Sequence, residues 1–419
     1  MNIGYACITK GVANANYKTC RKINATEDHL KLLIEHNLNV LEKMIEYNHQ
    51  VGIKLFRISS DIIPFGSDFV VNDLDWPNLF APLFKRIGEK IKRYDIRVSM
   101  HPGQYTVLNS PIIGVVERAI DDLNYHKLFL DSLGVGSESK IIVHVGGVYN
   151  DKEAAIDRFT QVYDQLDRKI KDRLIIENDD RSYTINDVLD ISERTGAPVV
   201  YDNLHNALNN DGETYPDSYW INLAKKTWRK EDGRPKVHYA QQQLIGREGS
   251  HSQFIGIDEF MTFYRDVAPC DVDIMLEVKD KNLSAVKCLL ATTTDPKISD
   301  LEKEWARYKY TVLERSPVIY ERIRSLLKDK SSYPVIPFYR LIEAALTLDI
   351  NMSTAINSLE HVWGYVNQEV TDKEKEKYQE YKSNLIEGLN HLERVKRFLY
   401  KLALKYEVDY LINSLYFEL

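Results

Sequence analysis

The chain has 419 residues, is 44% hydrophobic and 28% charged, and carries a formal net charge of −7. That composition excludes a disordered chain, a collagen-like repeat and a coiled-coil rod, and the acidic total argues against a general nucleic-acid coat while leaving room for a local basic groove. The four cysteines (Cys7, Cys20, Cys270, Cys288) form no C-x-x-C pair and read as reduced thiols of a cytoplasmic protein, no signal-like segment opens the chain, and no apolar run reaches a membrane span.

Short β-rich runs alternate with longer amphipathic stretches. Asn2–Thr9 is followed by a helical pattern over Glu27–Tyr47, Leu55–Ser60 by Asn78–Tyr94, Arg97–His101 by Val115–Leu133, and Lys140–Gly146 by Asp151–Lys171. Arg173–Asn178, Pro198–Asp202, Lys236–Gln241 and Asp273–Lys279 complete the series of β-rich runs. Strands this apolar, separated by helices, imply a parallel sheet covered by helices, and eight such units closing on themselves make a (β/α)8 barrel. An open doubly wound sheet is the weaker alternative, because no G-x-G-x-x-G follows the first run. After about Asp295 the texture changes: residues 299–419 show helical periodicity with mixed charge, interrupted at Lys328–Pro337. The expected architecture is therefore an α/β barrel over residues 1–295 with an all-α domain or extension over residues 296–419.

The acids and histidines fall where the strands end. His101 ends the third run, His144 lies in the fourth, Glu177 in the fifth, Asp202 and His205 at the end of the sixth, His238 in the seventh with His251 beyond it, and Glu277 in the eighth. The C-terminal strand ends of such a barrel meet at one face, so residues remote in sequence converge there. Imidazoles and carboxylates together are a ligand set for Zn2+, Mn2+ or Fe2+. Eight such groups exceed the needs of one ion, and Glu177 on a central strand is the expected bridge. Paired metals ~4 Å apart activate water and stabilise a leaving oxygen in phosphoryl displacement. Lys236 shares a strand face with His238. It reads as a phosphate contact, as a carboxylated anionic ligand, or as a lysine turned outward. Lys279 and Lys281 beyond Glu277 suit phosphate contacts at the barrel mouth, as do Lys10, Lys18, Arg21, Lys22 and Arg181. His29, His36, His49, His126, His361 and His391 fall on helical stretches and read as surface or packing residues.

In this order, RISSDIIPFGSD, SMHPGQYTVLNSP, HVGGVYNDKEAAIDRF, IIENDDRSYT, VVYDNLHN, KVHY, SHSQFI and DIMLEVKDKNLSA resemble the UV-damage endonucleases from Gly4 to about Leu290. The resemblance implies a TIM barrel that cuts DNA immediately 5′ to UV photoproducts (cyclobutane dimers and 6-4 photoproducts), leaving a 3′-hydroxyl and a 5′-phosphate. It implies a cluster of about three divalent ions, commonly Mn2+, with Zn2+ and Mg2+ as alternatives. By motif, His101, His144, Glu177, Asp202, His205, His238, His251 and Glu277 fall on metal positions. Glu177, His238 and Lys236 carry the catalytic expectation, Lys236 lying on a lysine that the family modifies. Gln104 and Tyr105 fall on residues that probe the lesion inside the duplex, and Tyr5 on a nearby DNA-facing position. The chain departs from the family at Asp68 and Asn206, where histidines are frequent, and at Thr9, where Asn is frequent. The substrate expected is double-stranded DNA carrying UV lesions, with no membrane and no nucleotide cofactor. An apurinic-site endonuclease and a metal-dependent sugar isomerase are the alternatives on the same barrel, and a non-cutting damage sensor is the alternative outside enzymes. A short C-terminal stretch, INSLEHVWGYVNQEVTDKEKEKYQEY, resembles a helical domain of unknown function.

Overall fold

The β-rich runs become eight short strands: β1 (Ile3–Cys7), β2 (Leu55–Ile58), β3 (Arg97–Met100), β4 (Ile141–His144), β5 (Leu174–Glu177), β6 (Val199–Asp202), β7 (Lys236–Tyr239) and β8 (Asp273–Leu276). All neighbours pair in parallel, and β8 closes on β1. The barrel expected from the alternation is the one observed. Residues of β5 to β8 are buried on both faces, which is why β5, β6 and β8 carry unbroken apolar stretches (LII, VVY, IML), while β7 (KVHY) buries Lys236 and His238. This computed structural model describes residues 1–385 and 388–419.

Helix ends follow local capping chemistry. Thr26 caps Glu27–Gln50, Asp151 caps Lys152–Gln165, and Thr184 with Asp187 forms a capping box on Ile185–Thr195. Two predicted helices are broken. The Asn78–Tyr94 pattern is realised as Trp76–Leu79 and Ala81–Arg93, because Phe80 leaves helical geometry (φ −112°, ψ 18°) just before Pro82. Asp151–Lys171 is interrupted at extended Leu166, and Asp167 caps a new turn over Arg168–Lys171.

Contacts divide the chain into two units. One takes Met1–Thr9, Ala15–Ile255 and Glu259–Val286 and holds the barrel; the other takes Lys10–Asn14, Gly256–Asp258 and Lys287–Leu419. The second is helical, with helices that include Ile298–Leu313, Pro317–Leu326, Val335–Leu346, Met352–Trp363, Asp372–Leu385 and Leu392–Lys405. The predicted interruption ends at Pro334, which precedes Val335–Leu346, so Pro337 falls in the first turn, where it removes no intrahelical hydrogen bond. Leu359, Val362, Tyr378, Val395 and Leu399 lie in that unit's core. Residues 386 and 387 of the predicted C-terminal helical stretch lie outside the described residues. Among the described residues no cysteine is in a disulfide, and no helix is long and apolar enough to cross a membrane.

Candidate metal centre

Strand register sets the site. The parallel pairing places His144 level with Glu177, and Asp202 level with His238. Glu177 lies at the centre and is buried. Its Oε2 is 3.0 Å from His101 Nε2 and 3.7 Å from His144 Nε2. Its Oε1 is 2.5 Å from His238 Nδ1 and 3.9 Å from His205 Nδ1. His205 Nδ1 is also 3.9 Å from Asp202 Oδ1. Glu277 continues the chain of contacts, 3.2 Å from His238 Nδ1 and 3.6 Å from His251 Nε2. All eight residues read from the strand ends thus gather in one cluster. Glu177 belongs to two groups of mutually close ligand atoms, one with His101 and His144, the other with Asp202 and His238.

The cluster has the chemistry of a cation site. Three carboxylates share a space largely closed to water, an arrangement that burial disfavours without compensating positive charge. His144 Nδ1, Asp202 Oδ2 and His238 Nε2 are buried with no hydrogen-bond partner among the described residues. These residues could hold divalent metal. Burial pushes the Glu177 carboxyl up, but the charges of His238 and His144 and hydrogen bonds from His101 and His238 outweigh it and hold it well below the usual range. Burial raises Asp202 and lowers His144 to about 4. At His205 the burial effect is overcome by Asp202, Glu177 and Glu277, which lift the imidazole to about 9.

Around the cluster, each group is held from behind. Asp202 accepts from the backbone N–H of His205 at 2.8 Å, so it caps the helix Asn203–Leu208 that carries that histidine. His205 Nδ1 lies 2.8 Å from the Asn178 carbonyl. The Ser60 hydroxyl donates to the His101 carbonyl at 2.6 Å, and His126 Nε2 contacts that hydroxyl at 2.9 Å. His126 Nδ1 lies 2.6 Å from the Asp122 carbonyl, while Asp122 Oδ2 accepts from Thr106 at 2.5 Å. His126 thereby holds the start of the His101–Thr106 loop through Ser60, and Asp122 on the same helix holds its end. Gly146 supports the next loop with φ +119°, and a Cβ there would sit 2.4 Å from Asn109 Oδ1, so only glycine fits.

Lys236 does not turn outward. It is buried inside the barrel with Nζ 3.0 Å from Ser99 Oγ. Burial, with Arg97 and Arg57 nearby, pushes its amine well below the usual lysine range. Gln104 and Tyr105 are exposed on the loop after β3, Tyr105 at 83%. Gln104 lines both a cavity of about 480 Å³ that reaches His101, His144 and His205 and a second of about 980 Å³ beside Phe65, Asp68 and Arg118. Lys279 is exposed, with Nζ 3.5 Å from Gln243 Oε1.

Tyr5 corrects the sequence reading. It is fully buried, with its hydroxyl 2.5 Å from Thr9 Oγ1 and 2.8 Å from Asn48 Oδ1. A strand residue facing the helix layer cannot present its ring to DNA. The sequence reading also missed Arg57, whose Nη1 pairs with Glu277 Oε1 inside the barrel. Its signal was an arginine in the otherwise apolar run LFRI.

Family comparison decides among the chemistries this cluster could support. The family model described as UV-endonuclease UvdE matches residues 1–308. The chain belongs to the UvdE family. A UV DNA damage endonuclease of Clostridium perfringens is 38% identical over 414 residues, covering 97% of each chain. One of Bacillus cereus (strain G9842) is 33% identical over 266 residues, covering 63% of this chain and 83% of the relative. The crystal structure of SacUVDE superposes with a TM-score of 0.65 at 38% identity, covering 69% of this chain and 96% of that one. A model of a protein of unknown function, DUF1722, matches residues 309–419. As a UvdE-family member, this chain is a UV-damage repair endonuclease acting on DNA, and its His, Asp and Glu cluster suits the metal such a nuclease needs.

Proposed function

We propose that this chain nicks double-stranded DNA immediately 5′ to UV photoproducts, leaving a 3′-hydroxyl and a 5′-phosphate. About three divalent ions, Mn2+ by preference, would be held by His101, His144, Glu177, Asp202, His205, His238, His251 and Glu277. The observation that carries the reading is Glu177, one buried carboxylate in reach of four imidazoles, with unpartnered ligand atoms on three of its neighbours. Bound ions would activate water and neutralise charge on the phosphate oxygens. The chain's own residues do the rest. Glu177 fixes the rings of His101 and His238. Lys236, with its depressed pKa, is a candidate for carboxylation to a further anionic ligand. Gln104 and Tyr105 fill the gap left when a weakly stacked dimer leaves the helix, an extrusion that costs less than for normal bases. Lys279 contacts a phosphate. Residues 1–295 form the endonuclease domain in this reading, residues 296–419 a separate helical domain, and the protein works in the cytoplasm.

Three plasmids test it: UV-irradiated, abasic and untreated, each with manganese and with chelator. Manganese-dependent nicking of the irradiated plasmid alone is expected. Nicking of the abasic plasmid alone would replace this substrate with an apurinic site.

A further inference from the structure

Between β7 and His251 the chain makes a loop that the chemistry above does not use. Its stem is tightly built. Gln242 and His251 form an antiparallel bridge, and Gln243 N donates to the Ser250 carbonyl at 2.7 Å. The Gln242 side chain accepts from Gly249 N at 2.9 Å and donates to the Gln243 and Arg247 carbonyls at 3.1 Å each. At the tip of this stem stand Leu244 and Ile245, 101% and 90% exposed. Turn tips usually carry Gly, Asn, Asp, Ser or Pro, which suit both turn geometry and water. Two adjacent aliphatic side chains held out by a hydrogen-bonded stem need a separate explanation.

Position names the occupant. Arg247, Glu248, Gly249 and Ser250 line the same cavity as Gln104 and His101. The loop and the Gln104–Tyr105 loop therefore border one mouth. Arg247 is exposed, and Lys279 Nζ lies 3.5 Å from Gln243 Oε1 in the stem. Aliphatic side chains at the mouth of a DNA-cutting site match a duplex, in which Leu or Ile wedges between base steps and kinks them while Arg247 and Lys279 reach the phosphates on either side.

We propose that Leu244 and Ile245 are a second wedge, entering the groove of the DNA duplex and holding it bent while Gln104 and Tyr105 probe the lesion. This rests on the endonuclease reading. Insertion removes two aliphatic side chains from water, and that gain offsets the unstacking of a base step. The wedge thus matters most where the duplex is still stacked.

The test compares wild type, the double variant Leu244→Ser/Ile245→Ser and the conservative Leu244→Met/Ile245→Val. Each is assayed on a UV-irradiated duplex and on the same lesion placed opposite unpaired bases, with thermal melts and sizing of each protein alongside. The serine variant is expected to lose about tenfold in kcat/KM on the duplex and clearly less on the unpaired substrate, with Met/Val restoring most of the duplex loss. Equal losses on both substrates, or none, overturn the wedge. A variant that changes only the oligomeric state overturns it too, and gives the tip to a second copy of the chain. If wild type nicks neither substrate, the endonuclease reading falls and takes the wedge with it; if wild type nicks and the variant matches it, the wedge alone falls.

Discussion

Arg57 on β2 and Glu277 just past β8 meet as an ion pair whose side chains are only 12% and 10% exposed. Burial pushes the Glu277 carboxyl up, but the Arg57 guanidinium and His238 outweigh it and hold it well below the usual carboxylate range. Removing Arg57 takes away a buried cation and leaves Glu277 with His238 and His251. Arg57→Met should therefore destabilise the protein, by less than the ~3–5 kcal/mol of a charge left wholly unpaired, read as a lower denaturation midpoint. A midpoint within error of wild type would mean that water or another group satisfies Glu277.

Glu177→Gln keeps the shape of the side chain and removes the charge that faces four histidines. Metal content of the purified protein should fall, and nicking of irradiated plasmid should drop by about two orders of magnitude or more, with far-UV circular dichroism preserved. Full metal loading with full nicking would remove Glu177 from the centre.

Tyr105 and Tyr5 make opposite predictions. Tyr105→Ala, at an exposed position, should shift stability by no more than about 0.5 kcal/mol while eroding discrimination between irradiated and intact DNA. An equal loss on every substrate would count against a probing role. Tyr5→Phe removes a buried hydroxyl that contacts Thr9 and Asn48. It should cost about 1 kcal/mol of stability and leave DNA affinity unchanged. Weakened DNA binding at unchanged stability would return Tyr5 to the DNA face.

Acid stability should depend on Glu42. Its carboxylate takes paired hydrogen bonds from Arg86 at 2.7 and 2.8 Å, with Lys90 at 2.7 Å. Those bonds, Arg86 first, hold it at about 2 against an ordinary value of 4.5. A carboxyl lowered in this way stabilises the fold above its unfolded pKa, and the contribution drains away as pH falls through the window between the two values. Urea midpoints of Glu42→Gln should therefore decline less steeply than wild type between pH 5 and pH 2. Parallel declines would show that the pair adds nothing.

Much of the fold was legible because strand burial writes itself into composition: runs such as KIIVHVG and RLIIEN are apolar on both faces because helices cover the outer face and the barrel interior encloses the inner one. The candidate ligands were legible because a closed barrel turns eight distant strand ends into one place. What escaped reading lay in side-chain direction. Tyr5 sits on a strand yet faces the helix layer, whereas Lys236, read as sharing a face with His238, does lie in the interior, and period-two reasoning fixes which residues share a face but not which face points inward. Arg57 escaped for the same reason, since a charged residue in a short apolar run looks like an edge until its partner two hundred positions away is known. His126 read as packing, and it does pack, but its contact with Ser60, unlike the one with the Asp122 carbonyl a turn earlier on its own helix, joins separate elements that periodicity does not encode.

The closing of β8 onto β1 has a consequence for how the enzyme comes into being. Glu277 arrives with the last strand, about one hundred and eighty residues after His101 has left the ribosome. A nascent or truncated product ending before β8 lacks that acid and the partner that anchors Arg57. If Glu277 serves the proposed metal cluster, the barrel's own circular wiring delays the completion of that cluster until the last strand has been made.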